Sequence, residues 1–343
     1  MQDEVLIWGA GAIGGVLGAY MARAGVPVRT VDIAVDHAAA CSGAGLEIEG
    51  PVEAFTQVVR CDTPETLTGT YRRVILAVKA PATKAAMSAL LPHLALDGYV
   101  LSAQNGLNEL LIAKMAGQDR VMGAFVNFGA DYLAPGQILL GNRGAVVVGE
   151  CDGATRPRTR DMLALLQRYE PGAVLTEDIF GYLWGKLGYG AMLFATALTT
   201  DSMSTNFADP ARGPALIALA REVMATAVAE GVAPRAFNGF EPAAFLPGAP
   251  EAAARATLTA LAEFNSKTAK THTGIWRDLA VRKRRTEVDP QVGVVVEIAT
   301  THGIATPMLT RLVELIHDIE QGRRSQSGDT FALLSKALTQ AAP

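Results

Sequence analysis

Two residues in this chain have the type and setting to move a proton: Lys186 and Glu287. Lys186 lies between Leu183 and Gly190, on the helical spacing that otherwise carries the apolar stripe Ile179, Leu183, Leu187, Ala191. A lysine on an inward face loses hydration, which lowers its pKa toward a value useful for proton transfer. It could protonate the oxygen of a carbonyl that receives a hydride, or deprotonate the alcohol in the reverse direction. A snorkelling lysine, its stem packed and its ammonium in water, is the alternative. Glu287 stands just ahead of Asp289-Pro290, which reads as a helix start with Asp as N-cap and Pro at the first helical position. It could hold a substrate hydroxyl or pair with Lys186; most exposed glutamates do neither.

A hydride needs a donor, and the first residues of the chain supply a place for one. Gly9, Gly11 and Gly14 form G-x-G-x-x-G directly after the apolar strand Val5 to Trp8 and directly before a helix from Ile13 to Ala24. The first glycine makes the tight turn, the second lets the backbone approach a pyrophosphate, and the third lets helix pack on strand. Ala12 and Ile13 then carry N–H groups at the positive end of the helix dipole, facing the anion. Methyltransferases use glycine-rich turns of the same kind and are the competing ligand class. Asp32 closes the second strand, eighteen positions after Gly14, where a carboxylate accepts both ribose hydroxyls and repels a 2′-phosphate. It favours NAD(H), with NADP(H) as the alternative and Arg29 the nearest cation that could serve it; a bare turn-capping role is the other reading of Asp32. Lys79-Ala80-Pro81 and Gln104-Asn105-Gly106 follow two further strands, at strand ends that face the ligand crevice of a doubly wound sheet. Lys79 can contact cofactor ribose or a substrate carboxylate, and Asn105 the substrate or the nicotinamide ribose. Taken singly, each is equally a surface lysine and a turn asparagine.

The elements that must position these groups fall into two textures. Up to about residue 175, short β-branched runs alternate with helical patterns, which signals βαβ units and a mainly parallel sheet. Leu46 to Val59 reads as a hairpin about Gly50-Pro51 on the sheet edge, Val121 to Asn127 and Gln137 to Gly149 as strands with turns at Gly136 and Gly141-Asn142, and Arg156 to Tyr169 as a closing helix. From Ile179 onward the periodicity is helical throughout: Leu216 to Ala229, Glu251 to Lys270, Pro290 to His302 and Pro307 to Gln321. The expectation is an α/β dinucleotide-binding Rossmann domain, doubly wound and mainly parallel, over residues 1–175, and an all-α substrate and dimerisation domain over 176–343.

Composition narrows the class further. The 343 residues are half apolar with under a fifth charged, as in folded globular chains, and suffice for two cores. A net charge of −4 without blocks offers nothing to a nucleic-acid backbone, and the run Arg282 to Arg285 is too short to change that. Three cysteines without metal-ligand spacing fit free thiols in the cytoplasm. No signal peptide and no membrane span is read. His37, His93, His302 and His317 show no paired spacing, so no metal site is expected.

Gly9 to Gly15, Val78-Lys79-Ala80, Gln104-Asn105-Gly106, Trp184-Gly185-Lys186-Leu187 and Arg285-Thr286-Glu287-Val288-Asp289 together resemble the ketopantoate reductase family over almost the whole chain. The resemblance implies the 6-phosphogluconate-dehydrogenase-like pairing of a Rossmann and a helical domain, a homodimer, and reduction of a 2-oxo acid to a 2-hydroxy acid. By motif, Lys186 is similar to that family's catalytic lysine, Glu287 to its acidic partner, Asn105 to an active-site amide, and Lys79 to a lysine lining cofactor and substrate. The departures matter as much. The family carries asparagines four and eight residues after the lysine, where this chain has Gly190 and Phe194, a gap and an aromatic ring. Its Ser-Ser-Met before an acid appears as Thr273-Gly274-Ile275 before Asp278, with one extra residue before Glu287. His272 and Thr273, in this altered segment, become candidate substrate contacts; a structural histidine is the other reading. Together with Asp32, where the biosynthetic enzymes carry a basic residue, these changes point to a paralogue acting on a bulkier or more apolar 2-hydroxy acid. True 2-dehydropantoate 2-reductase activity is the second reading, and a redox-sensing NAD-binding protein without turnover the third; the presence of both Lys186 and Glu287 argues against the last.

Overall fold

The structure is a computed structural model describing residues 2–237, 239–267 and 270–340. It divides into two compact units between Ile179 and Phe180.

The first unit alternates strand and helix. In chain order it contains β1 (Gln2–Trp8), α1 (Ala12–Arg23), β2 (Val28–Val31), α2 (Val35–Ser42), β3 (Leu46–Glu49), β4 (Phe55–Gln57), β5 (Arg60–Asp62), β6 (Tyr71–Leu76), α3 (Thr83–Leu90), β7 (Leu94–Ser102), α4 (Asn108–Ala116), β8 (Val121–Val126), β9 (Gly129–Ala134), β10 (Gln137–Asn142), β11 (Val146–Glu150), α5 (Pro157–Leu166) and β12 (Val174–Leu175). Eight strands form one sheet in the order β12-β11-β8-β7-β6-β1-β2-β5. It is parallel from β8 to β5, and β11 runs antiparallel to β8. The chain winds from β1 outward through β2 to β5, then restarts on the other side of β1 with β6. The order therefore reverses between β1 and β6, and ligands of such sheets bind outside the carboxyl ends of the strands at that point. Both faces of the sheet are covered: Val5 and Ile7 pack with α1 residues such as Val16 and Leu17, while Leu6, Val74 and Leu76 pack with Met87 and Leu90 of α3.

The expected hairpin exists, since β3 and β4 are antiparallel, but it does not extend the main sheet. It joins β10 and β9 in a separate sheet of order β4-β3-β10-β9. Gly141-Asn142, read as a turn, ends β10 instead, and the chain turns between there and Val146 to enter the main sheet as β11. The edge strand of the main sheet on the β2 side is β5, three residues paired in parallel to β2.

The second unit is helical: α6 (Ile179–Thr196), α7 (Met203–Ala208), α8 (Gly213–Ala229), α9 (Glu251–Ser266), α10 (Gly274–Ala280), α11 (Val294–Thr301), α12 (Pro307–Glu320) and α13 (Gly328–Gln340). Asp289 is not the N-cap that the sequence suggests. Val288 is already helical and leads into a π-helical turn, Asp289–Gly293, ahead of α11. The capping hydroxyl belongs to Thr286, which accepts the Val288 N–H at 3.2 Å. Asp289 turns outward and pairs with His317 at 3.0 Å. No helix among the described residues is long and apolar enough to cross a membrane.

Candidate functional site

Backbone geometry builds the first part of the site. Gly9 has φ +102°, and a Cβ there would lie 2.8 Å from the Val78 amide nitrogen, so only glycine lets β1 close on the end of β6. A Cβ at Gly14 would overlap the Gly9 carbonyl, which fixes α1 hard against the turn. At Gly11 a Cβ would meet nothing within 4 Å, so the loop is open there. No side chain caps α1, and Gly11, Ala12 and Ile13 are half-buried at its start. An uncapped helix N-terminus beside a bare, open turn is what a phosphate group requires.

Two side chains set the shape of this loop. Asp32 accepts the Ala10 N–H on Oδ2 and the Ala34 N–H on Oδ1, both at 3.0 Å, so it latches the loop and starts α2 together. Each oxygen retains a lone pair for a further donor. His37 was not marked in the sequence as more than an unpaired histidine. Fully buried, it accepts the Gly136 N–H on Nδ1 at 2.9 Å, which leaves Nε2 as the donor to the Ala10 carbonyl, also at 2.9 Å. The signal was weak because Gly136 is ninety-nine residues away. Arg29, the cation that might have served a 2′-phosphate, is 2% exposed and tied to Asp62 at 3.0 Å and Glu4 at 3.3 Å. It is a clamp across the sheet, not an open phosphate ligand. Ile33 and Val35, flanking this corner, are 82% and 70% exposed.

Lys79 and Asn105 occupy loops after β6 and β7, and both are exposed. Beneath them Gln104 donates to the Val78 carbonyl at 2.8 Å and to the Thr83 hydroxyl at 2.7 Å, so the two loops are stitched together from below. Asn108 closes the second loop by donating to the Asn105 carbonyl at 2.7 Å.

In the helical unit, Lys186 rides on α6. Burial pushes its ammonium down to about 8; Glu287 opposes that fall and Lys270 adds to it. Glu287 lies at the start of the π-turn, its carbonyl accepting the Gln291 N–H at 3.1 Å. The loop is held from behind by Glu320 at the end of α12, whose Oε1 accepts both the N–H and the hydroxyl of Thr286 at 2.7 Å. Tyr189, one turn from Lys186, is half-buried, and its hydroxyl accepts the Asn265 amide at 3.3 Å.

The altered segment is arranged differently from the sequence expectation. Thr273 is 5% exposed and its hydroxyl caps α10 by accepting the Trp276 N–H at 2.9 Å. His272 has both ring nitrogens engaged, with the Thr271 hydroxyl and the Thr200 carbonyl, and stacks on Trp276. Asp278 is buried between Arg282 and Arg284. Phe194 corrects a reading: fully buried, it is core and not the wall of a substrate site. Gly190 is the bare position that the sequence suggests. Among the described residues no cluster of three metal-ligating side chains occurs.

A glycine loop at the switch point of a mainly parallel sheet, joined to a helical unit holding a desolvated lysine, is the architecture of a two-domain Rossmann-type protein. Residues 5–153 match the family described as ketopantoate reductase PanE/ApbA, and residues 178–320 its C-terminal counterpart. The chain belongs to the ketopantoate reductase family, whose members are oxidoreductases. It is 28% identical over 93% of its length to 2-dehydropantoate 2-reductase of Archaeoglobus fulgidus, covering 99% of that protein, and 26% identical over 91% to that of Halobacterium salinarum, covering 97%. Among solved structures, D-mandelate dehydrogenase with NADH and anilino(oxo)acetate superposes with a TM-score of 0.81 at 19% identity, covering 93% of this chain and 99% of that one. A PanE/ApbA family ketopantoate reductase from Ralstonia eutropha gives 0.77 at 24%, covering 94% and 100%. At these identities the likeness is one of fold.

Proposed function

We propose that the protein reduces a 2-oxo acid to the 2-hydroxy acid with NADH, using Lys186 as the proton donor. The observation that carries this reading is the lysine itself: desolvated, brought to about 8, and opposed by a carboxylate. When bound, the dihydronicotinamide supplies the hydride that reduces the C2 carbonyl, leaving oxidised nucleotide and 2-hydroxy acid. Lys186 holds the proton for the carbonyl oxygen, and its burial makes the neutral amine that remains less costly than it would be in water. Glu287 keeps the lysine charged before transfer. The open turn at Gly11 and the start of α1 receive the pyrophosphate, Asp32 takes the adenosine ribose, and exposed Ile33 and Val35 offer an apolar face to the adenine. Lys79 and Asn105 serve the nicotinamide half and the substrate carboxylate.

Preference for NADH over NADPH rests on Asp32 and on Arg29, whose charge is held inside the sheet. D-mandelate dehydrogenase, similar in fold, was solved with NADH. The curated relatives are named 2-dehydropantoate 2-reductases, which favours ketopantoate as a second substrate reading. A homodimer in the cytoplasm is the expected working form; a ketopantoate reductase from Staphylococcus aureus of the same fold is described as dimeric. Steady-state rates with NADH and NADPH, each against ketopantoate and phenylglyoxylate, test the reading. Turnover with NADH that disappears in Lys186→Ala, with nucleotide binding retained, is the expected result; an active Lys186→Ala variant defeats the mechanism.

A further inference from the structure

Two thiols that the proposed reduction does not use lie close to Asp32. Cys41 is in the last turn of α2 and Cys61 is the middle residue of β5, and both are buried in the cluster that packs with α1. Hydrogen bonds fix the two segments side by side. The Cys41 carbonyl accepts the Val59 N–H at 3.1 Å, and Ser42 Oγ accepts the Cys61 N–H at 2.8 Å while donating to the Cys61 carbonyl at 3.0 Å. Hydrogen bonding between the two thiols raises Cys41 and lowers Cys61 from their ordinary values. Cys61, 9% exposed against 1% for Cys41, is thus both the more accessible sulfur and the one richer in thiolate.

Cys41 also reaches the glycine loop. Its Sγ is 3.6 Å from Nε2 of His37, one turn earlier on α2, and that nitrogen donates to the Ala10 carbonyl. The start of the same helix is held by Asp32 through the Ala34 N–H, and Asp32 holds Ala10 as well. A displacement of α2 is therefore felt at Ala10 through two side chains.

We propose that Cys41 and Cys61 are a redox modification site, closed to a disulfide by hydrogen peroxide, and that closure weakens dinucleotide binding at the glycine loop. The Cys61 thiolate attacks one peroxide oxygen; the O–O bond breaks, a sulfenic acid forms, and the departing hydroxide takes up the Cys61 proton as water. Cys41 then attacks the Cys61 sulfur, forming the S–S bond and expelling the sulfenic oxygen, which leaves as a second water with the Cys41 proton. Two electrons pass from the sulfurs to the peroxide. The new bond draws α2 onto β5 and Cys41 away from His37, so the hold of His37 and Asp32 on Ala10 is loosened. The effect on binding rests on the dinucleotide reading given above; the disulfide does not.

The test treats the whole chain with equimolar hydrogen peroxide, denatures it in N-ethylmaleimide and measures its mass. Wild-type protein is expected to fall from three alkylated cysteines to one, with Cys41 and Cys61 recovered as a linked peptide pair, while Cys61→Ser keeps both of its remaining thiols. Cys151, packed in the cluster on the other face of the sheet, is the internal control. NADH affinity, measured by fluorescence, should weaken roughly 10-fold on oxidation of the wild type, the scale of one hydrogen bond, and return with dithiothreitol. In Cys61→Ser peroxide should leave it unchanged. Three alkylated cysteines after peroxide, or a bond that includes Cys151, overturn the modification site. A Cys41–Cys61 bond that leaves NADH affinity unaltered overturns its effect on the loop. If the bond forms but reduced wild-type protein binds no NADH, it is the dinucleotide reading that fails.

Discussion

The Asp32 carboxylate lies 3.0 Å from the Ala10 amide nitrogen, so the residue proposed to read the ribose also latches the glycine loop. Removing it therefore acts twice. In Asp32→Ala, kcat/KM for NADH is expected to fall by about 10- to 100-fold, the range for loss of charged hydrogen bonds. NADPH should lose less, because the repulsion of its phosphate disappears together with the latch. The ratio of the two specificity constants checks this, and a ratio equal to that of wild type would remove Asp32 from cofactor selection.

In the proposed mechanism reduction requires Lys186 charged, so its rate should decline as pH rises through about 8. Glu287 opposes the effect of burial, and without its charge the lysine titrates lower. In Glu287→Gln the falling limb of the pH–kcat profile should accordingly move to lower pH. A limb that stays in place would mean that another group controls it.

Thr286 and Glu320 brace the turn that carries Glu287. Thr286→Val removes the hydroxyl that both donates to Glu320 and caps the turn at Val288. Loss of a cap costs about 1 kcal/mol of stability. The informative readout is kinetic: kcat should drop and the pH limb shift in the same direction as in Glu287→Gln, while NADH affinity measured by fluorescence stays unchanged. A variant that is merely less stable, with a normal pH profile, would show that the pair has no positioning role.

Glu109 offers a stability test in the first unit. Fully buried on α4, it has no hydrogen-bond partner for either carboxyl oxygen among the described residues, and burial raises it to about 7. Its native value lies above its ordinary value of 4.5, so the native state holds the proton more tightly. The stability this contributes is complete below the ordinary value and is lost as pH rises through about 7. Urea midpoints should fall between pH 5 and pH 8 in wild type and fall less in Glu109→Gln. Equal slopes would assign the pH dependence elsewhere.

The glycine loop was legible because its spacing and its strand-turn-helix setting are local, and the long helices because their periodicity repeats over many turns. Lys186 stood out for the same reason: a charge interrupting an apolar stripe is visible without a fold. The small sheet escaped because β4 has only three residues and β9, Gly-Ala-Asp-Tyr-Leu-Ala, does not alternate. Asp289-Pro290 carries every local sign of a cap, yet the hydroxyl of Thr286 reaches the helix first, a competition that spacing cannot decide. Phe194 drew attention because it stands where the family resemblance places an asparagine, eight residues after Lys186. A helix drifts by 3.6 residues per turn, and that drift carries position 194 into the core.

The buried imidazole of His37 has a consequence for the order in which the protein can mature during synthesis. The strand, turn and helix of the glycine loop are complete within the first two dozen residues, but the donor that fixes which ring nitrogen carries the proton is Gly136. Until that later stretch has emerged from the ribosome and folded back, His37 can present either nitrogen to Ala10, as a donor or as a second acceptor against a carbonyl. A nascent chain that stops short of the small sheet carries the entire glycine motif and still lacks a settled loop.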